Sequence, residues 1–281
     1  MRPLDLSLKK RNMKNNKLKI TNPKIIIMSG YGLNCEEETK FAFDSAGAKE
    51  NIVADIVHIN DLIAKPKMLS QYQILVFPGG FSYGDDTGSG KAYANKFKNH
   101  LAKELAEFLS RDTLAIGICN GFQIMTNLGI LPGALAQNKN GQYIDRWVDL
   151  EIPASAQASA WLRGIKKISL PIAHGEGRYV IDPKRKPSAS YGAGKKETSV
   201  IAFKYVKGKI CKFQNLEENP NGSDFGIAGV LAYNGRVLGL MPHPERGMFS
   251  FQNPTWYQNK KVPKQGAGFQ VFKNAINYFK K

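Results

Sequence analysis

A chain of 281 residues, 42% hydrophobic and 22% charged, can bury a full core and is not disordered; no apolar run reaches the ~20 residues that a membrane-spanning helix needs. Its formal charge of +17 invites a nucleic-acid reading, yet residues 1–24 alone hold eight Lys/Arg against one Asp. A basic surface spread in this way fits an acidic partner or an anionic substrate better than base reading. Three cysteines at wide, unrelated spacing make neither a disulfide framework nor a zinc site, so no metal is expected and a reducing compartment is.

Residues 1–24 lack the apolar core of a secretory signal and read as a flexible basic arm. Met13 is an expected second start, which the intact mass of the native protein would test. Lys24 to Met28 predicts a buried first strand, closed by Ser29-Gly30-Tyr31-Gly32. Asn34 is the expected N-cap of a helix whose first turn carries Glu36-Glu37-Glu38. Cys35 in that loop is followed by no nearby base, so it is read as structural, with a partner contact the lesser alternative.

Ile52 to Ile59 and Gln73 to Phe77 predict the second and third strands, with His58 a satisfied structural histidine. Strands alternating with helical patterns imply parallel pairing and a doubly wound α/β sheet with its site at the strand C-terminal ends. The third strand runs into Pro78-Gly79-Gly80-Phe81-Ser82-Tyr83-Gly84-Asp85-Asp86. Paired glycines there let backbone approach a ligand and aim an N–H at a reacting carbonyl, whereas a phosphate loop would need a following Lys-Ser/Thr. Residues 88–110 predict a long helix with a core stripe of Ala94, Phe97, Leu101, Leu105 and Phe108, and His100 on its solvated side.

The apolar run Thr113 to Ile116 then leads into Gly117-Ile118-Cys119-Asn120-Gly121-Phe122-Gln123, followed by apolar groups at helical spacing to Leu128. A cysteine on a sharp strand-to-helix turn, flanked by Gly117 and Gly121, has the layout of an exposed nucleophile facing backbone N–H groups and the positive end of a helix. The alternative is a small buried cysteine behind a helix. Farther on, residues 134–230 are richer in β-type runs, Trp147 to Ile152, Lys167 to Ala173 and Thr198 to Val206. They read as a mixed extension of one domain over 25–281, since nothing like a linker separates them. The glycine-flanked turn of His174-Gly175-Glu176 has a composition suited to a zwitterionic amino acid. Residues 182–197 read as a mobile surface loop and Cys211 as a strand residue. Asn234-Gly235 predicts a two-residue hairpin turn whose second strand delivers Met241-Pro242-His243-Pro244-Glu245-Arg246, a stiff loop presenting a base and an acid. Phe269 to Phe279 predicts a C-terminal helix packed on the sheet.

The segments GICNGFQIMTNLGILPG, FPGGFSYGDD, PIAHGEGRY, NPNGSDFGIAGV and MPHPER, in this order, closely resemble the glutaminase subunits of phosphoribosylformylglycinamidine synthase, class I glutamine amidotransferases of purine biosynthesis. The resemblance runs from about Ile25 to the C-terminus. It implies a flavodoxin-like, mostly parallel sheet flanked by helices, and glutamine hydrolysis by Cys119, His243 and Glu245. It also implies an oxyanion hole from the Gly80 and Asn120 N–H groups, with Gly79, Phe81, Gln123, His174 and Glu176 as substrate contacts or, for the last two, interface residues. No cofactor is expected in this chain. The resemblance implies that ammonia passes to a separate synthetase subunit using ATP and Mg²⁺, often through a small bridging subunit, and that the chain alone is slow. Cytoplasmic localisation is expected. The rivals are an amidotransferase serving another synthetase, a cysteine hydrolase or peptidase of the same fold, and a basic nucleic-acid module. The segment Asp86-Thr87-Gly88-Ser89-Gly90-Lys91 departs from the family pattern.

Overall fold

The computed structural model describes residues 22–86, 88–182, 200–259 and 261–280. The expected basic arm up to residue 21, and all but the first residue of the expected 182–197 loop, lie outside the described residues.

In chain order the first half alternates: β1 (Ile25–Ser29), α1 (Glu36–Gly47), β2 (Ala54–His58), α2 (Ile59–Ala64), β3 (Ile74–Phe77), α3 (Lys91–Ser110), β4 (Leu114–Ile118) and α4 (Asn120–Asn127). The second half is mainly β: β5 (Ala134–Ala136), β6 (Ile144–Glu151), β7 (Lys167–His174), β8 (Arg178–Val180), β9 (Val200–Tyr205), α5 (Lys209–Gln214), β10 (Ile227–Ala232), β11 (Val237–Leu240) and α6 (Phe269–Tyr278). Nine strands make one sheet in the order β2-β1-β3-β4-β11-β10-β9-β6-β7, with β5 and β8 in a separate antiparallel pair. From β2 to β11 every pairing is parallel, and from β11 to β7 every pairing is antiparallel. The expected β extension is therefore continuous with the parallel half.

Helices explain the apolar runs of β1, β3 and β4: with both faces covered, their residues are apolar except Ser29, which ends β1. All five residues of β1 and of β4, and all four of β3, are buried. α1 packs on α6 through an edge-on Phe43–Phe272 pair at 4.9 Å, and α3 packs on the sheet through Phe97 against Phe77 at 5.2 Å. The expected stripe of α3 is buried at Ala94, Phe97, Leu101, Leu105 and Phe108, and His100 is exposed. His58 is structural: its Nδ1 accepts the Asn60 N–H at 3.1 Å and caps α2, an element too short to show periodicity.

Three local expectations are corrected. Asn34 does not cap α1; Cys35 occupies the cap position, and no side chain bonds to the first turn. Cys211 lies in α5, not in a strand, because Gly208 breaks the chain and the Asp149 carboxylate accepts the Cys211 N–H at 3.0 Å, nucleating a turn that the alternation of Lys209 to Phe213 conceals. The β10–β11 hairpin is present, but Ala232 pairs with Val237, so the loop is longer than two residues, with Tyr233, Asn234 and Gly235 all at positive φ.

Candidate active site

The site lies where β4 ends. Cys119 adopts φ 51° and ψ −107°, a conformation that L-residues avoid at a cost of about 1–3 kcal/mol, and its carbonyl accepts the N–H groups of Phe122 (2.9 Å) and Gln123 (3.2 Å) as α4 begins. The turn is this tight because α4 approaches β3 directly: a Cβ at Gly121 would stand 1.8 Å from the Phe77 carbonyl oxygen. The side chain of Cys119 is 5% exposed, and its Sγ faces the Ala173 carbonyl oxygen at 3.6 Å.

Sheet register brings the second segment to it. β11 runs parallel to β4 with Leu240 beside Ile118, and the Cys119 N–H continues the ladder to the Leu240 carbonyl at 2.8 Å. The chain leaving β11 is thereby delivered to the nucleophile turn. His243 is fixed by its N–H to the Pro171 carbonyl (2.8 Å) and by a bond between its Nδ1 and Glu245 Oε1 at 2.5 Å. Both side chains are essentially inaccessible, 2% and 0% exposed. Burial works against the charged imidazole, but the Glu245 carboxylate and then the Cys119 sulfur outweigh it and raise its pKa to about 10. With Nδ1 committed to Glu245, the nitrogen free for chemistry is Nε2, which is buried and has no hydrogen-bond partner among the described residues.

The glycine loop closes over this pair. Gly80, at φ +147°, is pressed onto the β1–α1 loop, where a Cβ would stand 2.6 Å from the Gly32 oxygen. In the antiparallel bridge between Leu33 and Gly80 the bonds run from Asn34 N–H to the Gly79 oxygen (3.3 Å) and from Phe81 N–H to the Gly32 oxygen (2.9 Å). The Gly80 N–H stays outside that pairing. A Cβ on Gly79 would meet His243 Cε1 at 2.9 Å and Cys35 Sγ at 3.0 Å, so this backbone lies against the imidazole edge. Phe81 is 43% exposed, its ring 6.2 Å from that of Tyr143.

The other expected contacts form a polar frame beside the elbow. Gln123 is buried, its Nε2 donating to the Glu176 carbonyl at 2.5 Å and its Oε1 accepting from Asn120 Nδ2 at 2.7 Å, so its amide ties α4 to the turn after β7. The Glu176 carboxylate accepts the Ser89 N–H at 3.2 Å. His174 is 2% exposed, its Nδ1 shared with Asn138 Oδ1 at 3.1 Å, and burial, with His243 nearby, lowers its pKa to about 3.

Two neighbours escape a reading by sequence. Asp85, at φ 58°, accepts from Asn120 Nδ2 at 3.3 Å, and burial, then Glu176, raise its pKa despite Ser89 and Asn120. Its place in FSYGDD was a signal without a role, since nothing local says that it reaches Asn120. Cys35 has no base near it in sequence, yet in space it stands beside His243 and Glu245, with Arg246 Nη2 donating to its Sγ at 3.2 Å. A cavity of about 300 Å³ lined by Trp147, Ser169, Gly247, Phe249 and Gln265 includes none of Cys119, His243 or Glu245 and is separate from this site. No helix among the described residues is long and apolar enough to cross a membrane.

Residues 22–279 match the model of the CobB/CobQ-like glutamine amidotransferase domain. A phosphoribosylformylglycinamidine synthase subunit PurQ of Methanococcus maripaludis is 45% identical over 280 residues, covering 92% of this chain and 98% of that protein. The subunit PurQ of Dehalococcoides mccartyi is 36% identical over 263 residues, covering 91% and 97%. Among solved structures, a chain of PurLQS from Thermotoga maritima superposes with a TM-score of 0.68 at 31% identity, over 92% of this chain and 99% of that one.

Proposed function

This chain belongs to the CobB/CobQ-like glutamine amidotransferase family, within its PurQ branch, and from that premise we propose that it is the glutaminase subunit of phosphoribosylformylglycinamidine synthase, acting in purine biosynthesis in the cytoplasm. Its partners are the synthetase subunit and the small third subunit of a PurLQS-type complex. Cofactor use falls to the partner: the chain itself holds none, and ATP and Mg²⁺ serve the synthetase.

The observation that carries the chemistry is the buried imidazole. Its Nδ1 is held by Glu245, its basicity is raised, and its Nε2 is left unpartnered beside a cysteine on a strained elbow. Nε2 takes the Cys119 proton, and the thiolate attacks the side-chain amide carbon of glutamine. The C=O electron pair moves onto oxygen, where the N–H groups of Gly80 and Asn120 receive it. When the tetrahedral adduct collapses, the imidazolium gives its proton to the departing nitrogen, which leaves as ammonia. Water, deprotonated by the same Nε2, then attacks the thioester and releases glutamate and the thiol. Glu245 keeps the proton on Nδ1 throughout and stabilises the cation. Gln123, bonded at both ends of its amide, positions the elbow against the His174–Glu176 turn, while Phe81 lies at the mouth where a substrate side chain passes.

Cys119→Ala assayed with the synthetase tests this reading. Glutamine-dependent synthesis is expected to vanish while synthesis from added ammonium survives; loss of both, or survival of both, would refute it.

A further inference from the structure

The mechanism leaves one cluster of metal-binding atoms unused. Cys35, Glu38, His243 and Glu245 each offer an atom, and these four atoms lie within 4.8 Å of one another. They come from the cap and first turn of α1 and from the segment after β11, joined by Arg246, whose Nε donates to Glu38 Oε1 at 2.9 Å. Cys35 and both members of the imidazole–carboxylate pair are buried, while Glu38 stands at the surface side of the cluster, its side chain 38% exposed. Glu245 is 4% exposed, and its Oε2 has no hydrogen-bond partner among the described residues, although it sits next to a thiol and an imidazole.

We propose that these four residues form a site for a thiophilic divalent cation, Zn²⁺ above all, and that its occupation switches off the glutaminase. The donor set of one thiolate, one imidazole and two carboxylate oxygens suits the borderline-soft ion. Zinc bonds of about 2.0–2.3 Å place ligands of a tetrahedron about 3.3–3.7 Å apart, so an edge at the 4.8 Å limit must contract by about 1 Å and the 2.5 Å Nδ1–Oε1 contact must open by a little less. Of these side chains Glu38, with its partner Arg246, has the surface freedom to move, the two being 38% and 37% exposed. Charge balances as well: a thiolate and two carboxylates exceed Zn²⁺ by one negative charge, which the Arg246 guanidinium matches.

The ion enters through Nδ1, the imidazole nitrogen turned to Glu245. Cys35 releases its thiol proton and the imidazolium its Nδ1 proton to solvent, and the proton that stays on the ring is on Nε2. An Nε2–H cannot accept the proton of Cys119, so coordination behind the ring disables the base in front of it without touching the nucleophile. The inhibition rests on the role proposed above for His243; the binding does not.

The test separates the two. Full-length protein carrying Cys119→Ala is titrated with Cd²⁺ while the ultraviolet thiolate-to-metal charge-transfer absorbance is followed, and the same is done with Cys119→Ala/Cys35→Ala. A band present in the first and lost in the second is expected; a band absent from the first, or persisting in the second, overturns the site. In the otherwise native enzyme, Cys35→Ser, a near-isosteric change, should raise the Zn²⁺ concentration for half-inhibition of glutaminase by at least the ~10–100-fold that loss of outer-shell partners alone produces. Unchanged sensitivity overturns the switch, whatever the absorbance shows.

Discussion

Gly121→Ala tests how the close approach of α4 to β3 sets the geometry of the elbow. The added methyl would stand 1.8 Å from the Phe77 oxygen, 2.5 Å from its carbonyl carbon and 2.9 Å from its Cβ. Ordinary van der Waals contact for a Cβ begins at 3.4 Å, so the first turn of α4 must lift off β3 by about 1.6 Å. Overpacking costs about 1–3 kcal/mol where side chains can give way; here the obstacle is the backbone of a buried strand, so the cost is at least the top of that range. A loss of about 3 kcal/mol lowers Tm by roughly 6–12 °C in a domain of this size. Catalysis suffers as well, because the moving turn carries both Cys119 and the Asn120 N–H away from His243 and Gly80. Misplacement by about 1 Å costs on the order of 100-fold, equivalent to about 2.7 kcal/mol of barrier. Steady-state glutaminase kcat/KM, measured well below the variant's own Tm, should therefore fall by about 100-fold or more, while ammonium-dependent synthesis with the synthetase stays near wild type. A variant within about threefold of wild-type kcat/KM would show that the close approach of α4 to β3 does not set the nucleophile's position.

Two further outcomes follow from the buried pair and its neighbour. Glu245→Gln keeps the shape but removes the carboxylate that raises the basicity of His243, so glutaminase kcat should drop by about 10²–10⁴-fold with little change in KM; a rate within tenfold of wild type would mean that the imidazole is oriented by something else. His174 is held neutral, its pKa about 3 when folded against about 6.5 when unfolded. Between those values the unfolded chain binds more protons, so stability falls as pH drops through 6.5, by about 2 kcal/mol from pH 7 to pH 5, and the loss saturates near pH 3. Urea unfolding of the wild type and His174→Gln at both pH values should show that slope in the first and its removal in the second.

Local chemistry made some of this site legible and not the rest. The elbow at Cys119 is written in a few neighbouring residues: an apolar run, two glycines, then helical spacing. His243 and Glu245 are likewise adjacent, and two prolines mark their loop as unusual. Whether the two segments meet depends on β11 adding in parallel to β4 with Leu240 beside Ile118, a pairing no local pattern encodes. Family resemblance supplied it, and the family model and relatives agree with that resemblance. Where a residue's partner comes from another part of the fold, reading in sequence order misled. Cys35 looked bare of a base because the imidazole beside it arrives from the far end of the chain, and Cys211 looked like strand because the acceptor of its N–H, Asp149, belongs to β6. The same logic separates Gln123 from Asp85. Gln123 drew a substrate role for its place on the nucleophile helix, and its amide also bridges Asn120 and Glu176. Asp85 drew none, yet it reaches the same Asn120 across the loop. Asn120 thus makes three side-chain bonds, two to the glycine loop and one within α4: its Oδ1 accepts the Ser82 N–H, and its Nδ2 donates to Asp85 and Gln123. A residue proposed to act through its backbone N–H is held by its side chain, which is how a strained turn keeps a donor fixed without spending that donor on the protein itself.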